Sequence, residues 1–561
     1  MLSRFKSLLP GKSSSPSDAS AASKREGDEH LKRDRLDDAV VCYRRAVSQN
    51  PSYVDALVGL GFALSAQKQF DEAAQCLQRA LTIDPTIADA HYILGTNARD
   101  SNDDAGSIDH FARAIDVKPD FEYAYRDLFA ALVRNREVAK AKEVLVRAVS
   151  RFPQSAEFQV HLGNVLSHEG DHDNAVACYE KALSIRPDFA ESHKYLADVL
   201  AQTGKLEQAA GSYQKATWFD PALVDAHLGL GSVKQRQELL DEAIACYRRA
   251  VELEPEHASA NLSLGNLLQG KGQLDEAVVC FRRAIATDPT LPAAHQYLGN
   301  ALLDQGATKE AVACFEEVLR LDPANPVKHV IAALSGRDSE RAPSEYVEQL
   351  FDQYAQRFDS HLVDVLKYSV PEKLAELLHP HSEPGAAKWS VLDLGCGTGL
   401  SGAAIAQYAK HLVGVDLSAK MLDKARERKL YHRLEQRDLL TMMQGEPEST
   451  FDLVFSADVF VYLGALDDLM GEAYRLLRPG GHLAFSVESL DALAGGAAIS
   501  SDSHDYRLNV TGRYAHSMAY LSRMAAHNGF EVLGTTDTQS RLDKGVPVEA
   551  YLSLWRRPRG G

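Results

Sequence analysis

"SVLDLGCGTGLSG", Ser390–Gly402, places four glycines within eight residues, directly behind an apolar run that carries one acid, Asp393. The glycines parse in two ways. Gly397, Gly399 and Gly402 follow the G-x-G-x-x-G spacing of dinucleotide-binding turns, whereas Gly395, Gly397 and Gly399 form a tighter G-x-G-x-G with Asp393 two residues ahead. In the first parse the strand should run straight into Gly397. Here "SVLDL" already ends at Gly395, which makes Gly395 the turn residue and selects the second parse.

The stretches around this loop alternate in period. Apolar runs with β-branched residues recur at "SVLDLG", "HLVGVDL", "FDLVFSAD" and "GHLAFSVE", separated by helical patterns such as "SAKMLDKARER" and "LDDLMGEAYRLL". Such alternation predicts a mostly parallel sheet with helices on both faces, and sheets of this kind bind ligands beyond the carboxyl ends of their strands. Upstream, "EYVEQLFDQYAQRFDSHLVDVLKYSVPEKLAELL" reads as amphipathic helix, and "GRDSERAPSE" (336–345) as a charged linker.

The first 325 residues follow a different rule. Proline recurs every 34 residues from Pro51 to Pro323 without insertion or deletion. A glycine column keeps the same period (Gly27, Gly61, Gly95, Gly163, Gly231, Gly265, Gly299), broken by Phe129 and Ala197. An alanine column, Ala39 to Ala311 with Ser107 as its one departure, is followed four residues later by an aromatic or leucine column: Tyr43, Leu77, Phe111, Leu145, Tyr179, Tyr213, Tyr247, Phe281 and Phe315. Apolar residues in each half-unit recur at three- and four-residue spacing, so each unit is a pair of amphipathic helices closed by a proline that cannot continue the second one. The pattern resembles the tetratricopeptide repeat over about 20–325, nine units in all, which implies a curved all-α solenoid whose concave groove takes a protein or peptide partner. First-turn acids at Asp55, Asp89, Glu157, Glu191 and Asp225 suit a basic ligand, and equally offset the helix macrodipole. Asn164, Asn266 and Asn300 share a column and are placed either to bond a ligand's backbone or to face water.

Six of the seven cysteines (Cys42, Cys76, Cys178, Cys246, Cys280, Cys314) occupy one repeat position, too far apart in a stack for disulfides, and read as small packed residues. This suits a reducing, cytoplasmic setting. The formal charge of −17 argues against nucleic acid as a partner, and no apolar run is long enough to span a bilayer. Residues 1–19 read as a disordered Ser/Pro/Ala tail, and 326–342 as capping helix and linker.

"VLDLGCGTG" resembles motif I of class I S-adenosylmethionine-dependent methyltransferases, and further elements of that family follow in order over about 343–558. Asp416 ends "VGVDLS", Asp438 lies in "QRDLL", and "FDLVFSADVFVYL", "LLRPGGHLAFSVE", "GFEVLG" and "EAYLSLWRR" supply the later strands. The resemblance implies a Rossmann-like domain over 343–561 with a seven-stranded, mostly parallel sheet and N-terminal lid helices. It also implies S-adenosyl-L-methionine as cofactor, held by Asp393, Gly395, Cys396, Gly397, Gly399, Leu400, Asp416, Leu417, Met421, Asp438, Leu439 and Ser456, with no metal. Asp416 would take the ribose hydroxyls, Asp438 the adenine amino group, and Cys396 serves as a small spacer. Tyr354, Phe358 and His361 are placed to act as lid, or to pack a helix. The stretch "SSDSHDYRLNVTGRYAHSMAYL" reads equally as a surface loop or as an acceptor site offering Tyr506, Arg513, Tyr514 and His516, with His516 and Tyr514 as catalytic candidates because an unperturbed imidazole titrates near neutrality. The acceptor, a small molecule or a protein, is not named by these residues. The rival reading is a scaffold whose methyltransferase fold is catalytically idle.

Overall fold

A computed structural model describes residues 18–337, 339–355, 358–360, 362, 366–381, 389–493, 505–543 and 546–560. They fall into two compact units, Met1–Leu267 and Leu268–Gly561.

Within the first unit, helices follow in pairs from Asp18–Lys32 with Leu36–Gln49 to Val224–Arg236 with Leu240–Leu253. The two sequence columns explain the pairing. A Cβ placed on Gly27 would stand 2.8 Å from the Tyr43 ring, and one on Gly163 would stand 2.6 Å from that of Tyr179. Gly95 meets Phe111, and Gly231 meets Tyr247, in the same way. Each glycine thus opens a slot in the first helix, and the large residue sixteen positions later fills it and becomes buried. Tyrosines in the column still need a partner for the hydroxyl. Tyr43 donates to Asp28 at 2.9 Å, and Tyr179 donates to Asn164 at 2.8 Å. Asn164 is therefore engaged inside its own repeat. The unit with Phe129 in place of the glycine nevertheless folds as a helix pair, Glu122–Arg134 and Val138–Arg151. First-turn positions hold Asp55, Asp89, Glu157, Glu191 and Asp225, where a negative charge faces the positive end of the helix.

The second unit opens with three helices of the repeat type, Leu274–Thr287, Pro292–Asp304 and Thr308–Leu321, where Gly299 accommodates Phe315. Its α/β part contains α1 (Val327–Leu334), α2 (Ser344–Tyr354), α3 (Val370–Leu378), α4 (Leu400–Ile405), α5 (Ala419–Arg428), α6 (Leu439–Gly445), α7 (Asp467–Leu476) and α8 (Met518–Asn528). The strands are β1 (Trp389–Leu394), β2 (Ala409–Asp416), β3 (Arg433–Gln436), β4 (Phe451–Ser456), β5 (Leu477–Ser489), β6 (Tyr506–Leu508), β7 (Tyr514–His516), β8 (Glu531–Asp543) and β9 (Val546–Arg556). Strands β3-β2-β1-β4-β5 are parallel; β9 joins β5 antiparallel, and β8 joins β9 antiparallel. These seven form the sheet expected from the sequence.

Two further strands raise the sheet to nine, because the segment after β5 folds into a hairpin. Its β7 pairs parallel with Glu488 and Ser489 at the end of β5, and β6 pairs antiparallel with β7. Three-residue strands flanked by polar turns leave little periodicity to read, which is why the sequence shows this segment only as a loop. Described residues of the linker bond to the segment that follows β4. Ala342 N–H donates to the Tyr462 carbonyl at 2.9 Å, and Gly464 and Ala465 donate to the Glu340 carbonyl.

The glycine column carries a direct expectation. Gly163→Val should lower the stability of the repeat unit by about 1–3 kcal/mol through overpacking against Tyr179. Gly211→Ala, where an added Cβ meets nothing within 4 Å, should raise it by about 0.5–1 kcal/mol through helix propensity. Urea unfolding of both variants checks the pair.

Candidate active site at the strand ends

Beyond the carboxyl ends of β1, β2 and β4 lies a cavity of about 790 Å³, within the range usual for small-molecule sites. Its floor begins at the glycine loop. Gly395, Gly397 and Gly399 have φ of 66°, 53° and 89°, a region that L side chains avoid, so the loop can turn back only with glycine there. A Cβ on Gly395 would stand 2.4 Å from Val459, whereas one on Gly397 would face open space, with Phe358 the nearest group at 3.9 Å. Gly402 lies inside α4 and makes room for the Tyr431 hydroxyl. The glycines with turn geometry are those of the G-x-G-x-G parse.

Asp416, at the end of β2, fixes this loop. One carboxylate oxygen accepts Gly397 N–H at 2.9 Å and the other accepts Ser418 N–H at 2.9 Å. Burial pushes its pKa up and these donors pull it back. Asp416 also lines the cavity, and a carboxylate there suits hydroxyl donors. Asp438 caps α6 through Thr441 N–H at 3.1 Å and lines the same cavity, as do Leu417 and Leu439.

Opposite the floor, Tyr354 and Phe358 pack edge to face at 5.2 Å between centroids, and both line the cavity with Phe351, Leu362 and Tyr368. The segment is tied down by acids. Asp352 accepts from Ser418 Oγ at 2.6 Å, while Asp359 accepts from Thr398 Oγ1 and Arg428. His361 lies outside the described residues.

Arg513 reaches the cavity from the β6–β7 turn and stands 3.2 Å from Asp458 and 3.7 Å from Glu488. Arg541 completes the set, at 3.4 Å from Asp458 and 2.6 Å from Glu488. Two cations and two carboxylates thus balance in a mostly buried cluster, as burial of charge requires. Asp458, Glu488 and Arg541 carry no local sequence signal. They come from the turn after β4, from β5 and from β8, and only the sheet order makes them neighbours.

Several expected residues sit elsewhere. His516 is fully buried, with Nε2 3.0 Å from the Gly464 carbonyl oxygen and its ring stacked on Tyr520. Burial pushes its pKa down to about 4. The ring is a packed hydrogen-bond donor that does not line the cavity, and the role of base is withdrawn from it. Tyr514 is equally buried, with its hydroxyl against Ser339 Oγ, and Tyr506 packs beside both rings. These three form an aromatic cluster within the hairpin, and of the four acceptor candidates in this stretch only Arg513 lines the cavity.

Asp393 is also fully buried behind the loop, accepting from Ser401 Oγ and Tyr431 Oη at 2.6 Å each. Cys396, Met421 and Ser456 are buried as well; with Gly399 and Leu400 they support the loop and strand ends rather than line the cavity. Burial holds the Cys396 thiol well above its ordinary pKa, which removes thiolate chemistry from it. Tyr431, which fills the space above Gly402 and Gly414, was not singled out in the sequence; the two small residues facing it were its only signal.

Burial raises the Asp393 pKa to about 7 from an ordinary 3.8, with Ser401 and Tyr431 opposing the shift. The carboxyl therefore binds its proton more readily folded than unfolded. Its contribution to stability is present below the ordinary value and is lost as pH rises through about 7. Asp393→Asn should abolish this dependence. Relative to the parent chain, the variant should gain about 2–4 kcal/mol between about pH 4 and pH 8 in denaturant unfolding. A constant difference across that range contradicts a neutral buried acid.

Comparison with known proteins agrees with this geometry. The family described as "Methyltransferase domain" matches residues 391–481. Tetratricopeptide-repeat families match 24–86, 63–120, 154–217, 197–238, 239–272, 270–306 and 292–325. Malonyl-[acyl-carrier protein] O-methyltransferase of Enterobacter lignolyticus is 36% identical over 107 residues, 18% of this chain and 40% of that protein. Demethylmenaquinone methyltransferase of Symbiobacterium thermophilum is 31% identical over 155 residues, 26% of this chain and 59% of that protein. The chain thus spans about half the length of these relatives. Among solved structures, MamA is similar at 26% identity over 30% of this chain and 92% of its own, with a TM-score of 0.28. The chain is a tetratricopeptide-repeat array followed by a methyltransferase domain.

Proposed function

We propose that the protein is an S-adenosylmethionine-dependent methyltransferase whose repeats recruit a protein partner or substrate. The observation that carries this reading is the convergence of Gly395, Gly397, Asp416 and Asp438 on one cavity beneath an aromatic cover. The donor set fits the cofactor. Asp416 would accept from the ribose hydroxyls, Asp438 and Leu439, which line the same cavity, would take the adenine, and Gly397 leaves the space a Cβ would fill. When bound, the cofactor supplies a methyl group on a positively charged sulfur. The chain's own contribution is to position and to exclude water. Tyr354, Phe358 and Leu362 cover the site, Asp416 orients the cofactor, and the balanced Arg513–Asp458 pair fixes the wall on the acceptor side. Positioning two reactants in line accounts for much of what such a reaction needs.

The relatives support the reaction and leave the acceptor open, since their names refer to unlike acceptors, malonyl-acyl carrier protein and demethylmenaquinone. The repeats support recruitment of a protein, because tandem units of this kind present extended binding surfaces. No described helix is long and apolar enough to cross a membrane; a cytoplasmic setting is part of the proposal.

Calorimetric titration with S-adenosylmethionine should show one site on the full chain. Asp416→Ala should weaken it by about tenfold to a hundredfold, the loss expected for hydrogen bonds to a charged acceptor. Absence of binding at millimolar cofactor overturns the enzyme reading in favour of the scaffold. Unchanged affinity in the variant overturns the placement of the ribose.

A further inference from the structure

The first repeat departs from the other eight at one place. The position before the column glycine is leucine in all eight later units: Leu60, Leu94, Leu128, Leu162, Leu196, Leu230, Leu264 and Leu298. In the first unit it is Glu26. Four residues on, where six of the eight carry leucine, the first unit carries His30. Both side chains lie on one face of Asp18–Lys32, one turn apart, and face Cys42 on Leu36–Gln49.

One ligand atom from each of Glu26, His30 and Cys42 lies within 4.8 Å of the other two. Cys42 is buried, and His30 is mostly so, its side chain 20% exposed. The His30 Nδ1 atom is itself buried and has no hydrogen-bond partner; the Asp38 carboxylate stands 3.5 Å from it. Asp38 and Cys42 are again one turn apart on a single face. The arrangement is therefore two i, i+4 pairs, Glu/His and Asp/Cys, brought face to face by the helix pairing.

A polar residue at the outer face of the first repeat would be explained by solvation alone, and Glu26, half-exposed and paired with Arg45 at 3.2 Å, is consistent with that. Solvation does not account for an imidazole nitrogen buried without a partner beside a buried thiol. Sulfur, nitrogen and carboxylate oxygen together are the donor set of zinc and similar borderline divalent ions. Ligand atoms about 2.0–2.3 Å from such an ion stand about 3.3–3.8 Å apart in a tetrahedron. Closure from the observed spacing needs about 1 Å of side-chain movement, and Glu26 has the freedom to make it.

We propose that Glu26, His30 and Cys42, with Asp38 as the additional carboxylate, form a zinc-type divalent cation site that clamps the first two helices of the array. Metal binding would stabilise this terminal pair by mass action, with proton release from Cys42. The ion's role is structural, separate from the methyltransferase cavity.

The test is Co²⁺ titration of the full-length protein kept reduced with a phosphine, read by absorption. One equivalent of Co²⁺ should produce a thiolate-to-cobalt charge-transfer band together with tetrahedral d–d bands, and Zn²⁺ should displace both. Cys42→Ser should abolish the charge-transfer band. Cys280→Ser, at the equivalent buried position of a later repeat, should leave it unchanged. Glu26→Gln changes a half-exposed side chain and preserves the fold, yet should lower the apparent affinity by about tenfold or more. Circular dichroism verifies that each variant is folded. No charge-transfer band, a band that survives Cys42→Ser, or an affinity untouched by Glu26→Gln overturns the site.

Discussion

Two backbone amides bound by one carboxylate organise the α/β unit. Asp416 ends β2 and accepts the N–H groups of Gly397 and Ser418, so the loop after β1 and the start of α5 are held by the same side chain. A carboxylate withdrawn from water on one side is costly unless hydrogen-bonded there, and the two amides are the donors the backbone provides. The loop can present those amides only because Gly395, Gly397 and Gly399 accept left-handed φ values. Asp393 serves the layer below. From within β1 it binds Ser401 and Tyr431, locking α4 and the approach to β3 against the sheet. The two acids of the motif therefore divide the work, one holding the loop at the cavity and the other securing the core beneath it.

The cavity wall at Arg513 follows a different principle. Asp458, Glu488, Arg513 and Arg541 neutralise one another where the ends of β4, β5 and β8 meet the hairpin turn. That turn is also held from outside. His329, on α1, lies with Nε2 3.0 Å from the Gly512 carbonyl oxygen, next to Arg513. The helix that follows the last repeat therefore helps set the position of the arginine at the cavity. Within this unit, that hydrogen bond and the packing of His329 on Tyr346 and Tyr514 join the end of the repeats to the wall of the site.

Legibility in the sequence followed the range of the interaction. The glycine and aromatic columns of the repeats were readable because each pair lies sixteen residues apart and the glycine recurs in seven of the nine units. Their meaning, a slot and the ring that fills it, became visible only when a Cβ was placed on the glycine. The loop glycines and Asp416 were readable for a similar reason, since each sits at the end of a strand with a turn directly behind it, whereas Asp438 came only from the resemblance of "QRDLL" to a family segment. His516 misled because residue type and a polar context suggested a base, while its burial depends on Tyr506, Tyr520 and the Gly464 carbonyl, which local sequence does not specify. Arg541 was invisible, standing 83 residues from Asp458 along the chain.

By itself, then, the sequence determined the repeat architecture, the parallel sheet, the register of the glycine loop and the acids that face its cavity, because backbone conformation and periodic burial are written in nearest neighbours. The tertiary structure alone decided which polar groups are buried and with whom. It placed Asp393 behind the loop, removed His516 and Tyr514 from the site, assembled the four-charge cluster, and set Glu26 and His30 opposite Cys42. The physical reason is that desolvation and ion pairing depend on distance in space, and that distance is fixed only once helices pair and strands take their order.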